Sequence, residues 1–168
     1  QQRDIHMDLN ELINKQEQLT VQMTGEEEQV LIAEGSIIQL VSFVLEDVEY
    51  GVDILAVHEI LRFPEITRLP NTPDFIKGVI NLRGNVIPVV DVRKRFGYSK
   101  AKITDLTRII VIETVDKLTG LMVDNVHQVV RLNRSNVDPP SELIEGVSEE
   151  YIWGIGRLKD RLIVILNL

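Results

Sequence analysis

The sequence predicts an all-β protein: two small barrels of about five strands each, produced by internal duplication and packed together, with short helical turns. Three observations carry that expectation. From Ile37 onward, short runs rich in Val, Ile and Leu alternate with turn residues, and all eight aromatic residues fall in this stretch. The chain also aligns with itself. At an offset of 69, Gly51 meets Gly120, and Val57-His58-Glu59-Ile60-Leu61 meets Val126-His127-Gln128-Val129-Val130. At an offset of 76, Gly78-Val79 meets Gly154-Ile155, and Val86 to Val92 meets Leu162 to Leu168. The offsets differ within residues 131–150, where an insertion in a loop costs little. Finally, a half of roughly 65 residues is near the size at which a lone core is marginal, so the halves should fold against each other.

Residues 1–35 carry eight acids (Asp4, Asp8, Glu11, Glu17, Glu26, Glu27, Glu28 and Glu34) against Arg3 and Lys15, and they contain no aromatic residue. They read as an acidic, flexible N-terminal segment. Residues 1–6 precede Met7 and read as an added leader. Residues 8–19 place Leu9, Leu12 and Ile13 on one stripe, a short helix that is marginal alone in water. The folded body spans 36–168, with a first half at about 37–100 and a second at about 106–168.

Strands are expected near 38–45, 48–53, 57–62, 79–83, 86–92, 107–113, 118–124, 126–132, 152–158 and 161–167. Thr72-Pro73 begins a single helical turn that Gly78 ends. Gly84-Asn85 between two apolar runs reads as a two-residue hairpin turn. Pro88 is expected at a sheet edge or at the start of its strand, because proline lacks a ladder donor, which would make strand 86–92 a poor partner for sheet extension on one side. Arg93 to Phe96 should continue as a short helix.

Composition narrows the function. The chain has no cysteine, which removes disulfides, thiolate metal sites and cysteine nucleophiles. Its net charge of −8 has the wrong sign for non-specific nucleic-acid binding. No apolar run approaches the roughly 18 residues of a membrane span, so direct membrane insertion is not expected. His58 and His127 are repeat mates, and neighbours on a strand face opposite ways, so neither a two-His metal site nor a catalytic triad has support from spacing. Gly154-Ile155-Gly156 begins like a dinucleotide fingerprint, but Lys159 stands where the third glycine belongs. No catalytic, cofactor-binding or metal-ligating residue emerges. A small hydrolase or transferase working through surface carboxylates is the enzymatic rival, and no constellation of side chains supports it.

The halves also differ informatively. Glu59 becomes Gln128 and Arg83 becomes Lys159, so only the first half offers a Glu–Arg pair. Both residues are expected in apolar strands, where a partly buried pair fixes local geometry.

The run Val79-Ile80-Asn81-Leu82-Arg83-Gly84-Asn85-Val86-Ile87-Pro88-Val89-Val90-Asp91-Val92-Arg93 closely resembles the signature of the CheW-like domain family of bacterial chemotaxis. Glu49 to Ile54, Val57 to Ile60, Arg68 to Gly78 and Leu121 to Asp124 extend the resemblance to about 38–168. It implies a fold of two SH3-like barrels and a non-enzymatic adaptor or scaffold of two-component signal transduction that needs no cofactor. Its implied partners are the regulatory domain of the histidine kinase CheA and the cytoplasmic tip of methyl-accepting chemoreceptors. Its implied location is cytoplasmic, with recruitment to membrane receptor arrays, and on its own it should be a monomer. Val57, Glu59, Ile60, Arg83, Ile109 and Val129 match positions that bear on receptor coupling in the family. Gly78, Gly84 and Gly120 match glycines near partner surfaces that act through backbone shape. An excised regulatory domain of a CheA-type kinase or of CheV is the alternative, sharing fold and partners. Two departures from the family are an acidic lead-in longer than usual and a sequence that stops at Leu168, where the family usually continues into a helix.

Overall fold

The computed structural model describes residues 6–7, 37–99, 102–140 and 151–168. Its strands are β1 (His6–Met7), β2 (Ile37–Leu45), β3 (Val48–Asp53), β4 (Val57–Arg62), β5 (Ile76–Leu82), β6 (Asn85–Asp91), β7 (Arg108–Thr114), β8 (Lys117–Val123), β9 (Val126–Asn133), β10 (Val137–Asp138), β11 (Ile152–Arg157) and β12 (Leu162–Leu166). One short helix, α1 (Val92–Arg95), follows β6 and is capped by the Asp91 side chain, which accepts from the Lys94 amide. The expected acidic segment lies outside the described residues apart from β1, which pairs with Leu61 and Ile60 of β4.

The chain forms two compact units, each a two-barrel fold's single barrel in the SH3-like style. One contains Leu55–Val126, and the other contains 37–54 with His127–Leu168. In the first unit the sheet order is β1-β4-β7-β8-β6-β5, and in the second it is β10-β11-β12-β3-β2-β9. Reversing the second order shows the same five-strand path, with β9, β2, β3, β12 and β11 standing for β4, β7, β8, β6 and β5. The units therefore cut across the sequence repeat: β2 and β3 of the first half complete the second unit, while β7 and β8 of the second half complete the first. This exchange is reciprocal. Its register repeats as well, with Val89 opposite Gly120 in one parallel pair and Ile165 opposite Gly51 in the other. Both β5 and β11 carry a register shift at equivalent places, Ile76/Gly78 and Ile152/Gly154.

The repeated sequence is, in physical terms, a repeated core. Leu61, Ile80, Leu82, Ile87, Val89, Ile109, Val111 and Met122 pack together in the first unit. Their repeat mates Val130, Ile163, Ile165 and Leu40 pack in the second, with Ile38 and Leu132. These side chains alternate along their strands, as a sheet with one buried face requires.

Three local expectations are corrected. Residues 72–78 do not form a helical turn ended by Gly78. Pro73 and Ile76 close a tight turn by a 3.0 Å hydrogen bond, and Ile76 already starts β5. Tertiary pairing overrides the local Thr-Pro signal, because Phe75 and Ile76 are drawn alongside Val90 and Asp91. The β5–β6 turn is Arg83-Gly84, one residue earlier than expected. Leu82 pairs with Asn85, and Arg83 and Gly84 both have positive φ, 50° and 89°. Those angles are those of the mirror-image two-residue turn, which matches strand twist. Pro88 is neither at an edge nor at the start of its strand, since β6 begins at Asn85 and lies between β8 and β5. Its missing donor is tolerated because the parallel ladder to β8 begins only at Val89.

Candidate partner-binding site

In the first unit, β4 and β5 are the two margins of the five-strand path, and the barrel closes by bringing them together. Thr67, in the connection between them, exchanges backbone hydrogen bonds of 2.9 and 2.8 Å with Val79. Gly78 makes that approach possible. Its φ is +152°, and a Cβ there would collide with the Thr67 carbonyl oxygen and stand 2.7 Å from Ile66 Cγ2.

The same seam holds the Glu–Arg pair found by comparing the halves. Arg83 donates through Nη2 to Glu59 Oε1 and through Nη1 to Glu59 Oε2 at 3.4 Å. The Glu59 side chain is 6% exposed, whereas that of Arg83 is 66% exposed. A buried carboxylate thus holds an exposed guanidinium in a forked geometry. Arg83 lies in the turn rather than in a strand as expected, so its side chain leaves the sheet's alternation and reaches across to β4. Gln128 and Lys159, the repeat mates, lack the carboxylate for such a pair.

His58 joins this cluster for a reason that strand alternation does not reveal. β4 has a register shift between Val57 and Glu59. The shift leaves His58 as the extra residue, with Nε2 3.8 Å from Glu59 Oε1 and Nδ1 3.7 Å from Glu113 Oε2. Glu113, on the neighbouring β7, carried no signal in the sequence. Among the described residues, no group of three or more His, Asp or Glu side chains is arranged to hold a metal ion.

The remaining expected positions divide by burial. Val57, Ile60, Ile109 and Val129 are at most 7% exposed, and Ile109 belongs to the first unit's core. Val129 belongs to the second unit. Gly84 is exposed with open space around it, while a Cβ on buried Gly120 would stand 2.8 Å from Ile109 Cγ2. The structure therefore brings Glu59 and Arg83 together at a surface and places the four aliphatic residues in the interior. Beside the pair, Val86 on β6 is 70% exposed, an apolar side chain at the same hairpin tip. No helix among the described residues is long and apolar enough to cross a membrane.

Residues 39–168 match the family model of the CheW-like domain. The chain is 37% identical over 126 residues to a chemotaxis protein CheW of Klebsiella aerogenes, covering 75% of this chain and 76% of that one. It is 34% identical over 132 residues to a chemotaxis protein CheW of Helicobacter pylori, covering 79% of each. The crystal structure of the scaffolding protein TtCheW from Thermoanaerobacter tengcongensis superposes with a TM-score of 0.73 at 39% identity, over 78% of this chain and 89% of that one.

Proposed function

The chain belongs to the CheW-like domain family, and we propose that it is a non-enzymatic adaptor that couples the histidine kinase CheA to the cytoplasmic tip of methyl-accepting chemoreceptors. The kinase would be engaged through its regulatory domain, and the chain would work in the cytoplasm at receptor arrays. The observation that carries the reading is the Glu59–Arg83 seam: an exposed, fixed guanidinium beside exposed Val86, present in the first half alone. Such a cation with an apolar neighbour suits a partner surface that offers a carboxylate and an aliphatic side chain. The role proposed for Val57, Ile60, Ile109 and Val129 is indirect, since buried side chains change an interface by moving the strands they support. Gly78, Gly84 and Gly120 would act in the same way, through backbone shape.

No covalent step is needed. A rigid body with two partners transmits a signal when the receptor's state changes which arrangement of the contacts is populated. The test is co-sedimentation of the chain with the purified kinase and with receptor cytoplasmic fragments, using Arg83→Glu beside the parent. The reading expects the parent to bind both and Arg83→Glu to lose receptor coupling while it keeps its fold by circular dichroism. A variant that couples as well as the parent would remove Arg83 from the interface.

A further inference from the structure

The second unit carries a groove that this reading does not use. It lies between the β2–β3 hairpin and the β11–β12 hairpin and encloses about 710 Å³, with Val44, Val48, Ile155 and Leu162 giving it an apolar lining and Glu49 and Arg161 a polar side. Leu162 is 60% exposed and Val48 37%, so apolar surface continues from the groove to its rim.

Glu49 is the feature that points to an occupant. Its side chain is 9% exposed, and its Oε2 accepts from Arg161 Nε at 2.6 Å. Its other oxygen, Oε1, is buried and has no hydrogen-bond partner. A buried carboxylate oxygen left without a donor is costly, and one supplied by a ligand would recover that cost. The local charge selects the donor. Asp47 and Glu49 both line the groove with Arg161 as its one lining cation, and Arg161 is shared with Asp160 Oδ1 at 3.3 Å. The deficit is of positive charge.

We propose that this groove docks a peptide segment of a partner protein in which a large aliphatic or aromatic side chain is followed closely by a lysine or arginine. The apolar side chain lies against Val48 and Leu162, and the cation donates to Glu49 Oε1. The surface belongs to the second unit and does not rest on the Glu59–Arg83 reading, so either can fail alone.

The test uses the whole chain with isotope-labelled Ile, Leu and Val methyl groups, titrated with short, end-blocked synthetic peptides. The probe carries one Leu close to one Arg in a Ser/Ala background; the controls replace Arg by Glu or Leu by Ala. The proposal expects the Leu/Arg probe to shift the methyl signals of Val44, Val48 and Leu162 and to leave those of Val86 and Leu55 in place. Each control peptide should bind at least tenfold more weakly. Leu162→Asp, at an exposed position, should keep the folded spectrum and lose at least tenfold in affinity, and Glu49→Gln should erase the preference for Arg over Glu. Equal binding of the Arg and Glu peptides would overturn the proposal, as would shifts centred on Val86 or no shift at millimolar peptide. Broadening of the groove signals with protein concentration alone would also overturn it, because a second copy would then be the occupant.

Discussion

Removing Arg83 should cost more than losing an ordinary surface ion pair, because its partner cannot return to water. Glu59 is buried, and in Arg83→Ala its carboxylate loses two charge-assisted donors, keeping the His58 imidazole at 3.8 Å. A hydrogen bond to a charged group is worth about 1.5–3 kcal/mol. The guanidinium is two-thirds exposed, so solvent screening brings the expected loss down to about 1–2 kcal/mol. Glu59→Gln keeps an acceptor and removes the charge, for a cost of about 1 kcal/mol. If the two residues stabilise the seam through each other, the double variant should lose less than the sum, leaving a coupling energy of about 1 kcal/mol. Urea denaturation of the four proteins reads these differences directly. Thermal melts should show about 2–4 °C per kcal/mol for a chain of this size. Losses that add to within about 0.3 kcal/mol would refute the seam pairing, since sites that do not interact behave that way.

The glycines give a graded set. Gly78→Ala should destabilise by more than about 3 kcal/mol, because the φ of +152° and the collision with Thr67 act together, whereas Gly84→Ala, with φ +89° and open space, should cost only about 1–2 kcal/mol by the same denaturation assay. Gly120→Ala should fall between them at about 1–3 kcal/mol, since Ile109 Cγ2 at 2.8 Å must give way inside a packed core. Arg161 has its pKa raised, chiefly by its hydrogen bond to Glu49, which offsets the opposing effect of burial. A cation with a raised folded-state pKa stabilises fully below its unfolded value, which for arginine is far above neutral, and loses that contribution only as pH climbs past the folded value. The stability difference between the parent and Arg161→Gln should therefore not decline between pH 8 and 10 on account of Arg161 itself; a decline tracking arginine deprotonation there would contradict it.

Much of the fold was legible because the chain says it twice. Alternation located the strands, and core pairs such as Ile87/Ile163 and Leu61/Val130 marked the duplication. What the repeat could not reveal is which copy each strand pairs with. An alignment of halves is blind to β2 and β3 crossing into the second unit, because both barrels then have the same strand path. Local signals failed where a distant contact decides. Thr72-Pro73 looks like a helix start, yet Gly78 is fixed by Thr67. Gly84-Asn85 and Arg83-Gly84 are both reasonable turn pairs, and the choice is made by Leu82 pairing with Asn85. At the site, the Glu59–Arg83 pair was legible from the asymmetry between halves. The part of His58 was not, because a register shift reverses the usual rule that strand neighbours face apart. The Glu49 groove was hidden for a simpler reason: Glu49 and Arg161 stand 112 residues apart in the sequence.

The most direct test of the coupling account is kinase autophosphorylation in a mixture of the purified kinase, receptor cytoplasmic fragments and this chain, with each component omitted in turn. The account predicts that the rate changes only when all three are present and that Arg83→Glu removes most of that change. A kinase rate that responds to receptor fragments equally well without the chain would contradict it.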